Sequence, residues 1–69
     1  MPKLYKIPCN TWVIPTEATI APPGAREVSI GEPVFFRHVD GIYSSCEDAH
    51  GNLVHLPAWQ QVAIIEPPL

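Results

Sequence analysis

Charge is scarce in this chain. Four of its 69 residues are Lys or Arg and seven are Asp or Glu, 16% in all, for a formal net charge of −3. Ordinary soluble domains carry about 25%. A small protein with so few charges has difficulty covering its surface with polar groups, which points to self-association or a docking face. The four cations, Lys3, Lys6, Arg26 and Arg37, are scattered along the chain. No basic stripe forms to neutralise a phosphate backbone, so nucleic-acid binding is disfavoured. The four glycines are isolated, with no G-x-G and no P-loop run, which excludes the usual phosphate-cradling loops. No apolar run approaches the roughly 20 residues of a helical membrane span. Met1 is followed by a short segment holding Lys3 and Lys6, then Pro8, with no apolar h-region. That is not a signal peptide, and the expectation is a cytoplasmic protein.

Cysteine is also scarce. Cys9 and Cys46 are the only two, too few for the disulfide framework of a small secreted domain. In a reducing compartment they are small buried hydrophobes; a Cys9–Cys46 bridge is the other reading. With 69 residues the chain makes one domain, and a core of that size supplies only about 3–5 kcal/mol of net stability. Apolar residues make up 46%, which is globular rather than disordered composition.

Proline is abundant: nine residues, at positions 2, 8, 15, 22, 23, 33, 57, 67 and 68. Before residue 33 no gap between prolines holds a normal helix, and short strands punctuated by Gly and Pro point to an all-β sandwich or barrel. Residues 2–7 could form a short strand, and Thr11-Trp12-Val13-Ile14 a firm one stopped by Pro15. Residues 21–25 (APPGA) form a turn, and Arg26 to Ile30 a brief extended piece. Val34 to Val39 is apolar and aromatic. The Asp40-Gly41 that follows predicts a two-residue type I′ hairpin turn, pairing residues 33–39 with 42–46. A polar loop over 47–52 leads to a further strand at Leu53–Leu56. A competing reading makes Ser44 to Gly51 a short capped helix, but its apolar content, Cys46 and Ala49, is too small to anchor two turns. Pro57 opens one tight helical turn, and Val62–Ile65 closes as a β-branched strand. The expected organisation is a strand or arm over 1–25, a barrel core over 26–66, and a tail over 67–69.

Alternation adds a second expectation. In the strand 33–39, Val34 and Phe36 share one face, and Phe35 and Val39 the other. Val62 and Ile64 oppose Ala63 and Ile65, and Trp12 and Ile14 oppose Val13. Half-exposed antiparallel strands normally alternate apolar with polar. Apolar residues on both faces call for cover on both, from the N-terminal arm or from a second chain.

The order strand, Asp-Gly turn, strand, polar loop, strand, helical turn, strand over residues 31–66 resembles small SH3-like barrels, including the Tudor and KOW-type modules. The resemblance covers about half the chain. It implies a partly open barrel of about five short antiparallel strands. It also implies the possibility of binding extended peptides on exposed aromatic side chains. The acidic loop pattern and strand-initial Trp of an SH3 domain are absent, and Trp59 falls in the helical turn instead.

Four constellations deserve weighing for chemistry. Cys46, His50 and His55 have zinc-type side chains, but C-x3-H-x4-H is not a finger spacing and no C-x2-C pair accompanies it. Against it stand a loop histidine, a strand histidine and a core thiol. Cys46/His50/Asp48 and Ser44/His55/Asp40 can be written down as nucleophilic sets. Neither has a nucleophile elbow or an oxyanion-hole motif behind it, so an enzyme is not expected, nor is a cofactor. Trp12, Phe35, Tyr43 and Trp59 are the candidates for an interaction surface. Aromatics dominate interface hot spots, and Trp and Tyr carry a polar handle suited to a half-buried position. The expected function is therefore a non-enzymatic interaction or assembly module, with a protein or a second copy of the chain as partner. A small zinc protein is the alternative and a nucleic-acid-binding barrel a weaker one.

Overall fold

The computed structural model describes residues 2–68; Met1 and Leu69, the outer ends of the expected arm and tail, lie outside the described residues. It is all-β: β1 (Thr11–Pro15), β2 (Val34–Asp40), β3 (Tyr43–Asp48), β4 (Leu53–Val54) and β5 (Val62–Ile64). They form one antiparallel sheet in the order β4-β3-β2-β1-β5. The sheet does not close, and its curvature gives a partly open barrel with extents of 29 × 24 × 19 Å. Among the described residues no helix is long and apolar enough to cross a membrane.

The interior is built by every second residue of the strands. Val13, Val34, Phe36, Cys46, Val54 and Val62 are buried, joined by Leu4, Ile7, Val28 and Leu56 from the connecting segments. β1, taken from the sequence as part of an N-terminal arm, is an internal strand between β2 and β5. Ahead of it, residues 2–7 form one 3-10 turn, Leu4–Lys6, rather than a strand. This turn folds back onto the same chain: Leu4 N donates to Gln60 O (2.8 Å) and Tyr5 N to Ala58 O (3.0 Å). Asn10, at φ 62°, redirects the chain into β1, a conformation that Asn tolerates better than most side chains.

The β2–β3 hairpin forms as expected, with its turn displaced by one residue. Asp40 pairs with Tyr43, so Gly41-Ile42 are the central residues. Only Gly41 has positive φ (72°), which meets the demand of a type II′ turn rather than I′. A β-bulge also changes the face pattern. Phe36 pairs with Cys46 and His38 with Ser45, leaving Arg37 as the extra residue. An added residue reverses the alternation beyond it. Val39 therefore shares the inner side with Val34 and Phe36, opposite Ser44, instead of joining Phe35.

The capped-helix alternative for 44–51 does not form, because those residues complete β3 and a tight loop. Asp48 organises that loop: Oδ1 accepts the backbone N–H of His50 (2.8 Å) and of Asn52 (2.9 Å). Pro57 to Gln60 is a single turn closed by Gln60 N to Pro57 O (3.0 Å). The long β1–β2 connection, residues 16–33, is tied back on itself and to the barrel. Thr19 Oγ1 donates to Val28 O (2.7 Å), and the buried Gln60 gives Nε2 to Glu17 O (3.1 Å).

Candidate functional site

One row of residues crosses four strands on the outer side of the sheet. Trp12 of β1 pairs with Phe35 of β2, Phe35 with Glu47 of β3, and Glu47 with Leu53 of β4. Directly paired residues share a face, and this one is opposite the buried Phe36, Cys46 and Val54. The Trp12 and Phe35 rings meet at 5.4 Å between centroids, tilted by 55°, a contact worth about 0.5–1.5 kcal/mol beyond its buried area. The bulge places Arg37 over the same spot. Its guanidinium stands 6.0 Å from the Phe35 ring centre, and Nη1 donates to Glu47 Oε2 at 3.0 Å. That pair is solvent-exposed, so it contributes at most about 1 kcal/mol; its effect is to give the patch one charge of each sign. Trp12 and Phe35 are half-buried, and Leu53 is 65% exposed. Among the described residues no layer covers the rings completely.

The other two interaction candidates lie elsewhere. Tyr43 is on the same face but four residues along β3 from Glu47, about 13 Å at the usual rise per residue. It faces Asp40 and Pro57. Trp59, 48% exposed, sits in the Pro57–Gln60 turn. That turn is stitched to the hairpin tip by Ala58 N to Ile42 O (2.9 Å). The structure thus joins Trp12 with Phe35 and puts Tyr43 and Trp59 at the hairpin end, beside the exposed Ile42 and Tyr5. Ile42 and Leu53 were not singled out by sequence. The signal was an apolar residue in a turn and another at a strand start, either of which is equally consistent with core.

The residues proposed for zinc are not brought together. Cys46 is fully buried, its thiol held above the usual range by burial, and its Sγ lies 3.3 Å from Ser44 Oγ. His50 is exposed on the loop. His55 follows Val54, which pairs with Cys46, so alternation puts His55 on the other side of the sheet. Among the described residues no group of three or more His, Cys, Asp or Glu is placed to hold a metal ion. Cys9 is exposed and Cys46 buried, and both thiols are free. The set Ser44/His55/Asp40 fails for a similar reason. Ser44 Oγ is buried and engaged with Leu56, while His55 Nδ1 contacts the Ser44 backbone carbonyl (2.8 Å) and not the hydroxyl.

An open cleft of about 540 Å³ lies between the β1–β2 connection and the β3–β4 loop, lined by Arg26, Glu32, Asp48, His50 and Asn52 among others. Its charges are already committed. Arg26 gives Nη1 and Nη2 to Glu32 (3.0 and 2.7 Å) and Nη2 to Asp48 Oδ2 (3.1 Å). The hydrogen bond to Glu32 raises the Arg26 pKa and lowers that of Glu32. The N–H of Asn52, with those of His50 and the Arg26 guanidinium, brings Asp48 down to about 2. This network clamps the long connection to the β3–β4 loop.

No family model matches this chain, and the comparisons with curated proteins and with solved structures give no match either.

Proposed function

We propose that the protein is a non-enzymatic assembly module that self-associates through the outer face of its sheet, centred on Trp12 and Phe35. One observation carries the reading: two half-buried aromatic rings from adjacent strands meet on the outer face, tilted by 55° and flanked by an Arg37–Glu47 pair. A two-fold interface must be self-complementary. A patch with an apolar centre and one charge of each sign meets that condition, since a rotated copy sets Arg37 over the partner copy's Glu47. A stable interface takes about 800 Å² from each partner, roughly a fifth of the 4175 Å² surface of this chain. The scarcity of charge elsewhere favours burying such an area. The SH3-like reading of the barrel belongs to the same proposal and rests on the order of its elements.

The test is solution mass by light scattering over a range of concentrations, with and without chelator. A chelator-indifferent dimer that Phe35→Asp converts to a folded monomer, by circular dichroism, supports the proposal. A monomer at every concentration removes it.

A further inference from the structure

We infer that His38 and His55, on either side of Ser45, form a two-imidazole site for a divalent first-row transition-metal ion on the outer face of the sheet. The register places them. His38 of β2 pairs with Ser45 of β3. On the other side of β3, Cys46 pairs with Val54 and Tyr43 bridges Pro57, which sets His55 opposite Ser45. The three residues therefore make one cross-strand row on one face, with the smallest side chain in the middle. Two strand spacings separate the histidine backbones by about 10 Å. Two imidazoles leaning over a serine span that distance with metal–nitrogen bonds of about 2 Å.

The tautomer of His55 is already the one a metal needs. Its Nδ1 lies 2.8 Å from the Ser44 carbonyl oxygen. A carbonyl only accepts, so Nδ1 carries the proton and Nε2 presents its lone pair. Orienting a ligand histidine through its other ring nitrogen is the usual second-shell arrangement of metal sites. Nε2 has no hydrogen-bond partner among the described residues. No buried side-chain nitrogen or oxygen among them lacks a partner, so Nε2 reaches solvent. His38 is exposed. Arg37, the nearest cation in sequence, is turned to Glu47 and neutralised there. With two protein nitrogens and the remaining positions left to water, the site suits Ni²⁺, Cu²⁺ or Zn²⁺, ions for which imidazole is a good ligand. This set shares only His55 with the Cys46/His50/His55 grouping, and it lies on the same outer face as the Trp12–Phe35 patch, next to Glu47 and Leu53.

Ni²⁺ alone is the probe, because it does not oxidise the exposed Cys9, and titration calorimetry on the full chain is the readout. One ion per chain is expected. His38→Ala weakens binding by roughly 10-fold or more, since losing a ligand costs at least as much as losing a supporting group, and Ser45→Val weakens it by crowding the space between the two rings. His50→Ala and Cys9→Ser leave it unchanged. His38 is exposed, so its variant retains the fold, which circular dichroism checks. Binding by His38→Ala equal to that of the unmodified chain overturns the site. So does its loss in Cys9→Ser or His50→Ala, or the absence of any saturable binding.

Discussion

Replacing Ser44 by alanine tests how the buried polar ladder of this barrel is satisfied. Ser44 faces Leu56, and its own N–H donates to Leu56 O (2.8 Å) in the ordinary way. The reciprocal bond is rearranged. The Ser44 carbonyl accepts from His55 Nδ1, and the Leu56 N–H turns to Ser44 Oγ at 3.3 Å, while Oγ donates to Leu56 O at 2.9 Å. Both residues are buried. Removing Oγ leaves the Leu56 N–H without its acceptor, a desolvated donor costing about 1–3 kcal/mol. The Leu56 carbonyl keeps its bond from Ser44 N and loses little. Against a net stability of about 3–5 kcal/mol for a core this size, that is a fifth or more. With a urea m-value of about 1 kcal/mol/M, the unfolding midpoint drops by about 1–3 M. Ser45→Ala, one residue away on the outer face, shifts stability by no more than about 0.5 kcal/mol. A double-mutant cycle sharpens the test. His55→Ala releases the Ser44 carbonyl to Leu56 N, so Ser44→Ala costs less in that background than alone. The reasoning is refuted by a Ser44→Ala midpoint indistinguishable from that of Ser45→Ala, or by strict additivity with His55→Ala.

Further outcomes follow from the same structure. Thiol labelling of the native protein modifies Cys9 at once, whereas Cys46, buried and with its thiol pKa raised by that burial, reacts only as the chain unfolds; two equally fast thiols would contradict the packing. Asp48 has a folded pKa of about 2 against an ordinary 3.8, and Glu32 is lowered as well. Their contribution to stability is fully present above about pH 5.5 and is lost progressively as pH falls toward 2, so the urea midpoint of the unmodified chain declines over that window while Asp48→Asn starts lower and declines less. Parallel pH profiles for the two proteins would show that the clamp does not act through Asp48. At Gly41, φ 72° makes Gly41→Val destabilising although nothing crowds the position. At Asn10, φ 62° makes Asn10→Gly close to neutral, and thermal melts check both.

The fold class was legible in the sequence because it depends on local physics. Prolines at 8, 15, 22, 23 and 33 leave no room for a helix, and the β-prone runs at 11–14, 34–39 and 62–65 became strands β1, β2 and β5. The Asp-Gly signal located the hairpin to within one residue, because turn chemistry is also local. The faces depended on tertiary structure. A single bulged residue, Arg37, reversed the alternation beyond Phe36, and nothing in the run Val34–Val39 marks where an extra residue is inserted, since a bulge is placed by the curvature of the whole sheet. The same holds for the sites. Trp12 and Phe35 could be offered from sequence as interface candidates, but only the pairing of β1 with β2 brings their rings together. For the proposed metal site, the sequence could offer His55 as a candidate ligand, but not which residue stands beside it. Proximity along the chain favoured Cys46 and His50, whereas alternation across the ladder turns Cys46 inward, and strand pairing delivers His38 from seventeen residues away. Residue types and turns are written locally, while partnerships across a sheet are set by register, which appears only when the strands meet.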